Sequence, residues 1–384
     1  MKRIQSIDIV RGLVMIIMIL DHVRDFFHEG SITQNPTDLA TTTPALFFTR
    51  WITHLCAPAF VFLAGVSAFQ KYYRWGDKRG MKQYLLKRGL QLLLLEFTVV
   101  NFGLWFDIGF HTIIFEVIGA ISLGFISLSL LLNANKKILL AIAGLILVAQ
   151  QVLSLIPLQN SPVAGPIVSA LFRTTVFELG PGRVFVMGYP PVPWIAILLL
   201  GYSIAPVFLQ DDYKKKLRIT GIIFLLSFVF LRLLNIYGDP VPWQSHPSEL
   251  YTFLSFMNVS KYPPSLLFTL VTLGIVLIML SFSHFIPSKV SKVLQVYGKE
   301  PLFFFLLHWY IIHPAMLIML RIKGFSFSDM NFGAFGFGRP ASGAGGVSLP
   351  WVYLVWILTV ILFYPLCKWY HKRTKTISSA PRVV

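Results

Sequence analysis

Charge is scarce in this chain of 384 residues: Asp, Glu, Lys and Arg make up 13% of it, against 55% hydrophobic residues. A water-soluble surface needs roughly twice that charge, so soluble domains are excluded and the solvent for most of the chain is lipid. Cysteine is nearly absent, with two residues, Cys56 and Cys367, which excludes a disulfide framework. The sequence places them at opposite faces of a membrane, where they do not pair. A Gly-x-x-x-x-Gly-Lys phosphate loop, a dinucleotide fingerprint and a Gly-x-Ser-x-Gly nucleophile elbow are all missing. No internal repeat of roughly 20–50 residues and no inverted duplication of the kind many carriers show is visible.

Long apolar runs are abundant instead. A bilayer core about 30 Å thick takes roughly 20 apolar residues per helix. Runs of that kind fall at 5–27, 51–69, 84–106, 112–132, 138–156, 191–210, 218–236, 265–286, 301–320 and 350–368. The expected fold is therefore all-α: a polytopic membrane helix bundle of about ten transmembrane helices, forming a single domain over 1–384. The first run reads as a retained helix, not a signal peptide, because Asp8, Arg11, Asp21 and His22 interrupt it and no small-residue cleavage site follows.

Lys and Arg are retained on the cytoplasmic side of membrane proteins. With the N-terminus inside, the inner segments hold clusters such as Lys71, Arg74, Lys78, Arg79 and Lys82, then Lys214, Lys215, Lys216 and Arg218, then Lys368, Lys372, Arg373, Lys375 and Arg382. The outer segments hold only Arg50, Arg173, Arg183, Lys261, Arg321, Lys323 and Arg339. The bias is roughly threefold and puts both termini in the cytoplasm. It also accounts for the net charge of +17 without any nucleic-acid partner. The expected location is the cell membrane, plasma or bacterial inner. The longer outer loops, 28–50, 157–190, 237–264 and 321–349, are the places to look for function. The last of them alternates glycine with aromatics and reads as a mobile connector in preference to a lid.

The first span is too polar to face lipid. At about 100° per residue and measured from Arg11, Asp8 falls near +60°, His22 near +20°, Asp25 near −40° and Asp21 near −80°, so these groups share one broad face. Ionisable groups within a membrane point into a bundle or a wet cavity and mark a functional site by default. Arg11 lies near the cytoplasmic side, with His22 about 16 Å further along the axis. A purely structural reading, with Asp8–Arg11 and Asp21–Arg24 as packing ion pairs, explains the charges but not the histidine. Histidine is the side chain that accepts a proton near neutral pH, and Asp21 or Asp25 stands ready to orient it.

Other candidates are spread along the chain. His54 opens the second span at the depth expected for His22. In the ninth span His308 and His313 lie about 140° apart on a helix, so they do not form an i, i+4 metal pair and no metal site is expected. His308 is a candidate to line the site, and His313 beside Pro314 reads as a polar patch at a kink. Glu96, Glu116 and Arg232 are further ionisable groups within spans. Lys87 and Arg88, on the inner third of the third span, suit either cofactor phosphates or snorkelling anchors.

Specific blocks carry a resemblance. They are Ile7-Asp8-Ile9-Val10-Arg11-Gly12 leading to Leu20-Asp21-His22-Val23-Arg24-Asp25-Phe26-Phe27, and Thr53-His54-Leu55-Cys56-Ala57-Pro58 running to Gly65. Pro193-Trp194-Ile195, Leu200-Gly201-Tyr202, Lys261-Tyr262-Pro263-Pro264-Ser265 and Pro301-Leu302-Phe303-Phe304 with His308 add to them. Together they resemble bacterial members of the heparan-α-glucosaminide N-acetyltransferase-like family, within the wider transmembrane acyltransferase superfamily. The resemblance implies transfer of an acetyl or other acyl group from cytoplasmic acyl-CoA to a sugar amine or hydroxyl on the outer side. It also implies acetyl-CoA as co-substrate, a carbohydrate acceptor as partner and the lipid bilayer as surroundings; a homo-oligomer is compatible with it. In the wider superfamily a first-helix histidine follows an arginine by about 11 residues, and His22 after Arg11 has that spacing. In the lysosomal relatives the functional histidine falls in the loop after this helix, where His28 is the nearest counterpart. The combined expectation is a catalytic group of His22 with Asp21 and Asp25. Arg11, Arg24, His28, His54 and His308 would bind substrate, with Lys87 and Arg88 on the cofactor. A multi-pass transporter or flippase is the rival reading, since intramembrane Asp, Arg and His serve substrate and proton paths equally well.

Overall fold

Residues 4–155, 161 and 163–379 are described by a computed structural model. The chain is mostly helical, in the order α1 (Gln5–Phe27), α2 (Pro44–Thr53), α3 (Cys56–Trp75), α4 (Lys78–Leu95), α5 (Asn101–Trp105), β1 (Thr112–Phe115), α6 (Val117–Leu131), α7 (Lys136–Leu155) and α8 (Ala164–Phe172). There follow β2 (Thr175–Gly180), β3 (Arg183–Met187), α9 (Pro191–Ile204), α10 (Tyr213–Leu234), α11 (Glu249–Met257), α12 (Leu266–Phe282), α13 (Ser288–Lys299), α14 (Pro301–Ile322) and α15 (Leu349–Ser379).

Among the described residues, six helical stretches are long and apolar enough to cross a membrane: Pro44–Trp75, Pro191–Leu209, Tyr213–Leu234, Leu266–Phe285, Pro301–Ile322 and Leu349–Thr374. Two of these show what surrounds them. α10 exposes Ile223, Leu226, Phe230 and Leu233, and α15 exposes Trp351, Leu358 and Ile361. Apolar faces of that extent belong in hydrocarbon, not water. The protein is thus a multi-pass membrane protein. α1 meets its charge in the opposite way, by burial along most of its length against other helices.

The all-α expectation needs correcting in two places. The run 112–132 is not one helix: Thr112–Phe115 forms β1, which pairs in parallel with β3, and the helix starts at Val117. Thr-Ile-Ile-Phe is rich in β-branched residues, and the side chain of Asn101 acts as a further strand partner, donating to Ile114 O at 2.9 Å and accepting Ile114 N–H at 2.7 Å. The segment 163–190 holds α8 and the β2–β3 hairpin, so a three-stranded sheet of order β1–β3–β2 forms. The second span is also longer than the run 51–69. It begins at Pro44, where Thr43 Oγ1 accepts from Leu46 N–H, and is interrupted at His54 and Leu55.

The chain divides into two compact units. Among the described residues, one lies within 57–281 and 332–337, the other within 4–56, 282–331 and 338–379. In the first, α6 packs on α4 and α9, and α9 packs on α7. A Cβ on Gly65 would sit 2.1 Å from Leu198 O and one on Gly201 2.1 Å from Phe62 O, so glycine permits the close crossing of α3 and α9. Arg232 of α10 is buried and donates to the carbonyls of Val241, Ser255, Phe256 and Asn258, which folds the segment around α11 back onto its helix. In the second unit α1 is surrounded by α2, α13, α14 and α15. The contact with α13 is the tightest: a Cβ on Gly12 would lie 1.9 Å from Leu294 O, and one on Gly298 1.9 Å from Asp8 O.

Candidate active site

α1 carries its polar side chains on the broad face that periodicity predicts, and α14 meets that face with a histidine. His22 Nδ1 lies 2.6 Å from His308 Nε2. The two rings are stacked at 4.7 Å and 21°, and the indole of Trp309 stacks on His22 at 4.3 Å. His308 is fully buried and His22 is half-buried. Four residues further along α1, Phe26 packs on His313 of α14 at 4.8 Å.

The direction of the shared proton follows from the other nitrogen of His308. Its Nδ1 is bonded to the carbonyl oxygen of Phe305, and a carbonyl only accepts, so Nδ1 carries the hydrogen. With one proton per neutral ring, His308 Nε2 is a lone pair and takes the N–H of His22 Nδ1. His22 Nε2 is then left as the basic nitrogen. His308 fixes the tautomer of His22 as the carboxylate does in a Ser-His-Asp triad.

Beside the histidines lies a chain of charges. Arg24 Nη2 is 2.9 Å from Asp21 Oδ1 and 2.7 Å from Asp25 Oδ1, and Arg50 of α2 also pairs with Asp21. Two carboxylates and two guanidinium groups give no net charge, which suits a buried network. Asp21 and Arg24 are buried, whereas the Asp25 carboxylate is half-exposed. At the other end of α1, Arg11 sits 3.8 Å from Asp8 and donates to Gly298 O, so it joins α1 to α13 well away from His22.

His28 caps the C-terminal end of α1. It is buried, and its Nδ1 accepts Gly30 N–H at 3.1 Å. Burial pulls its pKa below the usual histidine value, Arg24 and Arg339 pull the same way, and Glu29 acts against them. Arg339 reaches this helix end from the loop between α14 and α15, donating to Phe26 O at 3.0 Å, His28 O at 3.3 Å and Gly343 O at 2.7 Å. Val347 N–H donates to Phe27 O, and Glu29 N–H to Val347 O. The second half of the glycine-rich loop is therefore tied to α1, where it satisfies carbonyls that a helix terminus leaves without partners.

His54 is buried at the break between α2 and α3. Lys87 is exposed and Arg88 half-buried on α4, in the first unit. Of the candidates read from the sequence, His22, Asp21, Asp25, Arg24 and His308 cluster in the second unit with His28 close by, and Arg11 stands apart along the same helix. Arg50, Trp309 and Arg339 were missed. A lone Arg-Pro in a loop of glycine and aromatics was the available signal for Arg339. Among the described residues no three His, Cys, Asp or Glu side chains are grouped to hold a metal ion.

The exposed apolar faces of α10 and α15 define a multi-pass membrane protein, and in its second unit the buried His308 pairs with the half-buried His22. Residues 3–237, more than half the chain, match the family of the heparan-alpha-glucosaminide N-acetyltransferase catalytic domain, and the chain belongs to that family. Membership makes it a membrane transferase in broad class. No curated protein matches the chain. The matched segment contains His22 and ends before His308, so the partner that orients the first-helix histidine comes from beyond it.

Proposed function

We propose that the protein transfers an acetyl or other acyl group from cytoplasmic acyl-CoA to a sugar amine or hydroxyl on the outer side of the membrane. The hydrogen bond from His22 to His308 carries this reading, because it leaves Nε2 of His22 as a base of defined direction inside a water-poor bundle. In the reaction, His22 Nε2 takes the proton from the acceptor N–H or O–H as that atom attacks the thioester carbonyl. The tetrahedral intermediate collapses, the C–S bond breaks, and the CoA sulfur leaves with the proton returned by His22.

While His22 holds the proton, its Nδ1–H is already paired with a lone pair on His308, and Asp21 and Asp25 act through the ion-pair network with Arg24 that holds this part of α1. Trp309 holds the ring plane. Lys87 and Arg88 receive phosphates of acyl-CoA, while Arg11, Arg24, His28 and His54 line the path of the substrates. Ten crossings with both termini inside put the basic inner loops on the side where acyl-CoA is found. A fixed site that excludes water supplies proximity and suppresses hydrolysis of the thioester.

The test is purified protein with labelled acetyl-CoA and a panel of amino sugars and membrane oligosaccharides. Labelled acceptor is expected, with about 100-fold or greater loss in His22→Ala. Undiminished transfer by folded His22→Ala overturns the mechanism. Acceptor movement across vesicles without any acyl transfer replaces the enzyme with a transporter.

A further inference from the structure

The turn from α3 into α4 carries positive charge that the transfer chemistry does not use. Residues 71–82 hold five cations, Lys71, Arg74, Lys78, Arg79 and Lys82, against one acid, Asp77. The charge bias of membrane topology accounts for basic residues in such a turn, but not for their arrangement. Among the described residues none of the five forms an ion pair, whereas at the start of α10 Lys216 pairs with Asp212 at 3.0 Å. The Lys71 ammonium lies 4.1 Å from the ring centre of Tyr84 and 5.4 Å from that of Trp75, and the two rings meet edge to face at 6.3 Å. An aromatic from the end of α3 and another from the start of α4 thus hold one half-buried cation in place. Arg74, Lys78 and Arg79, all exposed, belong to the same short segment.

The place of this turn says which anion it meets. The helical stretch Pro44–Trp75 is long and apolar enough to cross a membrane and ends at Trp75, so the turn lies where hydrocarbon gives way to headgroups. Trp75, 49% exposed, is a residue type that settles at that level. Beyond the turn, α4 exposes Leu86, Leu90 and Leu94, four residues apart on one face. An apolar stripe that follows a cluster of cations matches the layout of a phospholipid, with a surface for the tails and positive charge at the level of the phosphate. A soluble anion would use the charge and have no use for the stripe.

We propose that the α3–α4 turn is a binding site for an anionic phospholipid. Lys71, Lys78 and Arg79 neutralise the headgroup phosphate, Trp75 and Tyr84 keep Lys71 at the interface, and an acyl tail lies along Leu86, Leu90 and Leu94. The site lies wholly within the first unit and does not depend on the acyl-transfer reading.

The test is native mass spectrometry of the purified full-length protein in detergent. It is titrated with phosphatidylglycerol, with phosphatidylcholine of the same acyl chains, and with glycerol 3-phosphate. Phosphatidylglycerol is expected to bind at least about tenfold more tightly than either of the others. Lys78→Gln combined with Arg79→Gln, two exposed positions, is expected to weaken that binding by at least about tenfold. Lys215→Gln combined with Lys216→Gln removes the same charge from the start of α10 and is expected to leave it within about twofold. Lys71→Gln is expected to weaken it about fivefold, and Lys71→Arg to retain it. Coenzyme A at saturation is expected to leave phosphatidylglycerol bound. The proposal is overturned if phosphatidylcholine or glycerol 3-phosphate binds as tightly, if coenzyme A displaces the lipid, or if the α10 pair weakens binding as much as the turn pair. Unchanged binding in the turn pair or in folded Lys71→Gln overturns it as well.

Discussion

At the residue scale, the direction of one hydrogen bond decides what His22 does. The sequence offers Asp21 or Asp25 as the group that orients the ring; the geometry sets His308 at Nδ1, and Asp21 and Asp25 pair with Arg24, and Asp21 also with Arg50. His308 acts through His22, so its variants separate by whether they can still accept. His308→Gln offers an amide oxygen to the Nδ1–H of His22 and is expected to keep measurable turnover. His308→Leu is expected to lower kcat by about 100-fold with little change in KM, because it frees the tautomer without removing substrate contacts. Equal effects of the two variants on kcat in steady-state kinetics contradict the positioning role. His28 supplies a second reading at this scale. Its folded pKa lies below the usual 6.5, so the unfolded chain binds the proton more readily. The cost to stability is absent above that value, appears as pH falls through it and levels off once the folded ring also titrates. Melting temperature against pH is expected to fall on the acid side in the wild type, and less so in His28→Gln.

At the scale of elements, α1 is positioned by backbone contact, not by side-chain size. Gly12 and Gly298 let α1 and α13 approach until a single added methyl on either meets a carbonyl oxygen at 1.9 Å. Gly12→Ala and Gly298→Ala are each expected to force the helices apart, costing about 2–4 kcal/mol and displacing His22 from His308. Gly144 is the contrasting case: it lies in α7 with nothing within 4 Å of an added Cβ. Gly144→Ala is expected to be neutral or to stabilise by up to about 1 kcal/mol through helix propensity. Thermal unfolding in detergent checks all three, and a Gly12→Ala protein as stable as Gly144→Ala contradicts the contact. The sequence showed Gly12 within a motif, but close approach is a property of two helices far apart in the chain, and periodicity on one of them carries no trace of it. The polar face of α1 was legible for the opposite reason: charge is so scarce here that one helix holding Asp8, Arg11, Asp21, His22, Arg24 and Asp25 stands out from lipid-facing segments.

For the whole molecule, apolar runs located the helices because hydrocarbon imposes both length and composition on each crossing. They could not separate Thr112–Phe115 from the helix that follows, since a short strand and a buried helix turn look alike in hydropathy. Nor could they foresee that His22 and His308, 286 residues apart, form one site. Which side each loop faces rests on the charge bias, and among the described residues six stretches meet the length and composition required for crossing without help from it. The four remaining spans, α1, α4 with α5, α6 and α7, need a direct measurement. Both native cysteines are buried and neither is in a disulfide, so single cysteines at exposed loop positions can be read against a silent background. Ten crossings with the N-terminus inside place Asn35 and Ser245 outside, and Asn133 and Asp211 inside. A membrane-impermeant thiol reagent on intact cells is expected to label Asn35→Cys and Ser245→Cys, and to reach Asn133→Cys and Asp211→Cys only after lysis. Reversed labelling inverts the protein and with it the side on which acyl-CoA enters. Labelling of Asn35→Cys together with Asn133→Cys removes one of the two crossings assigned to α4 with α5 and to α6.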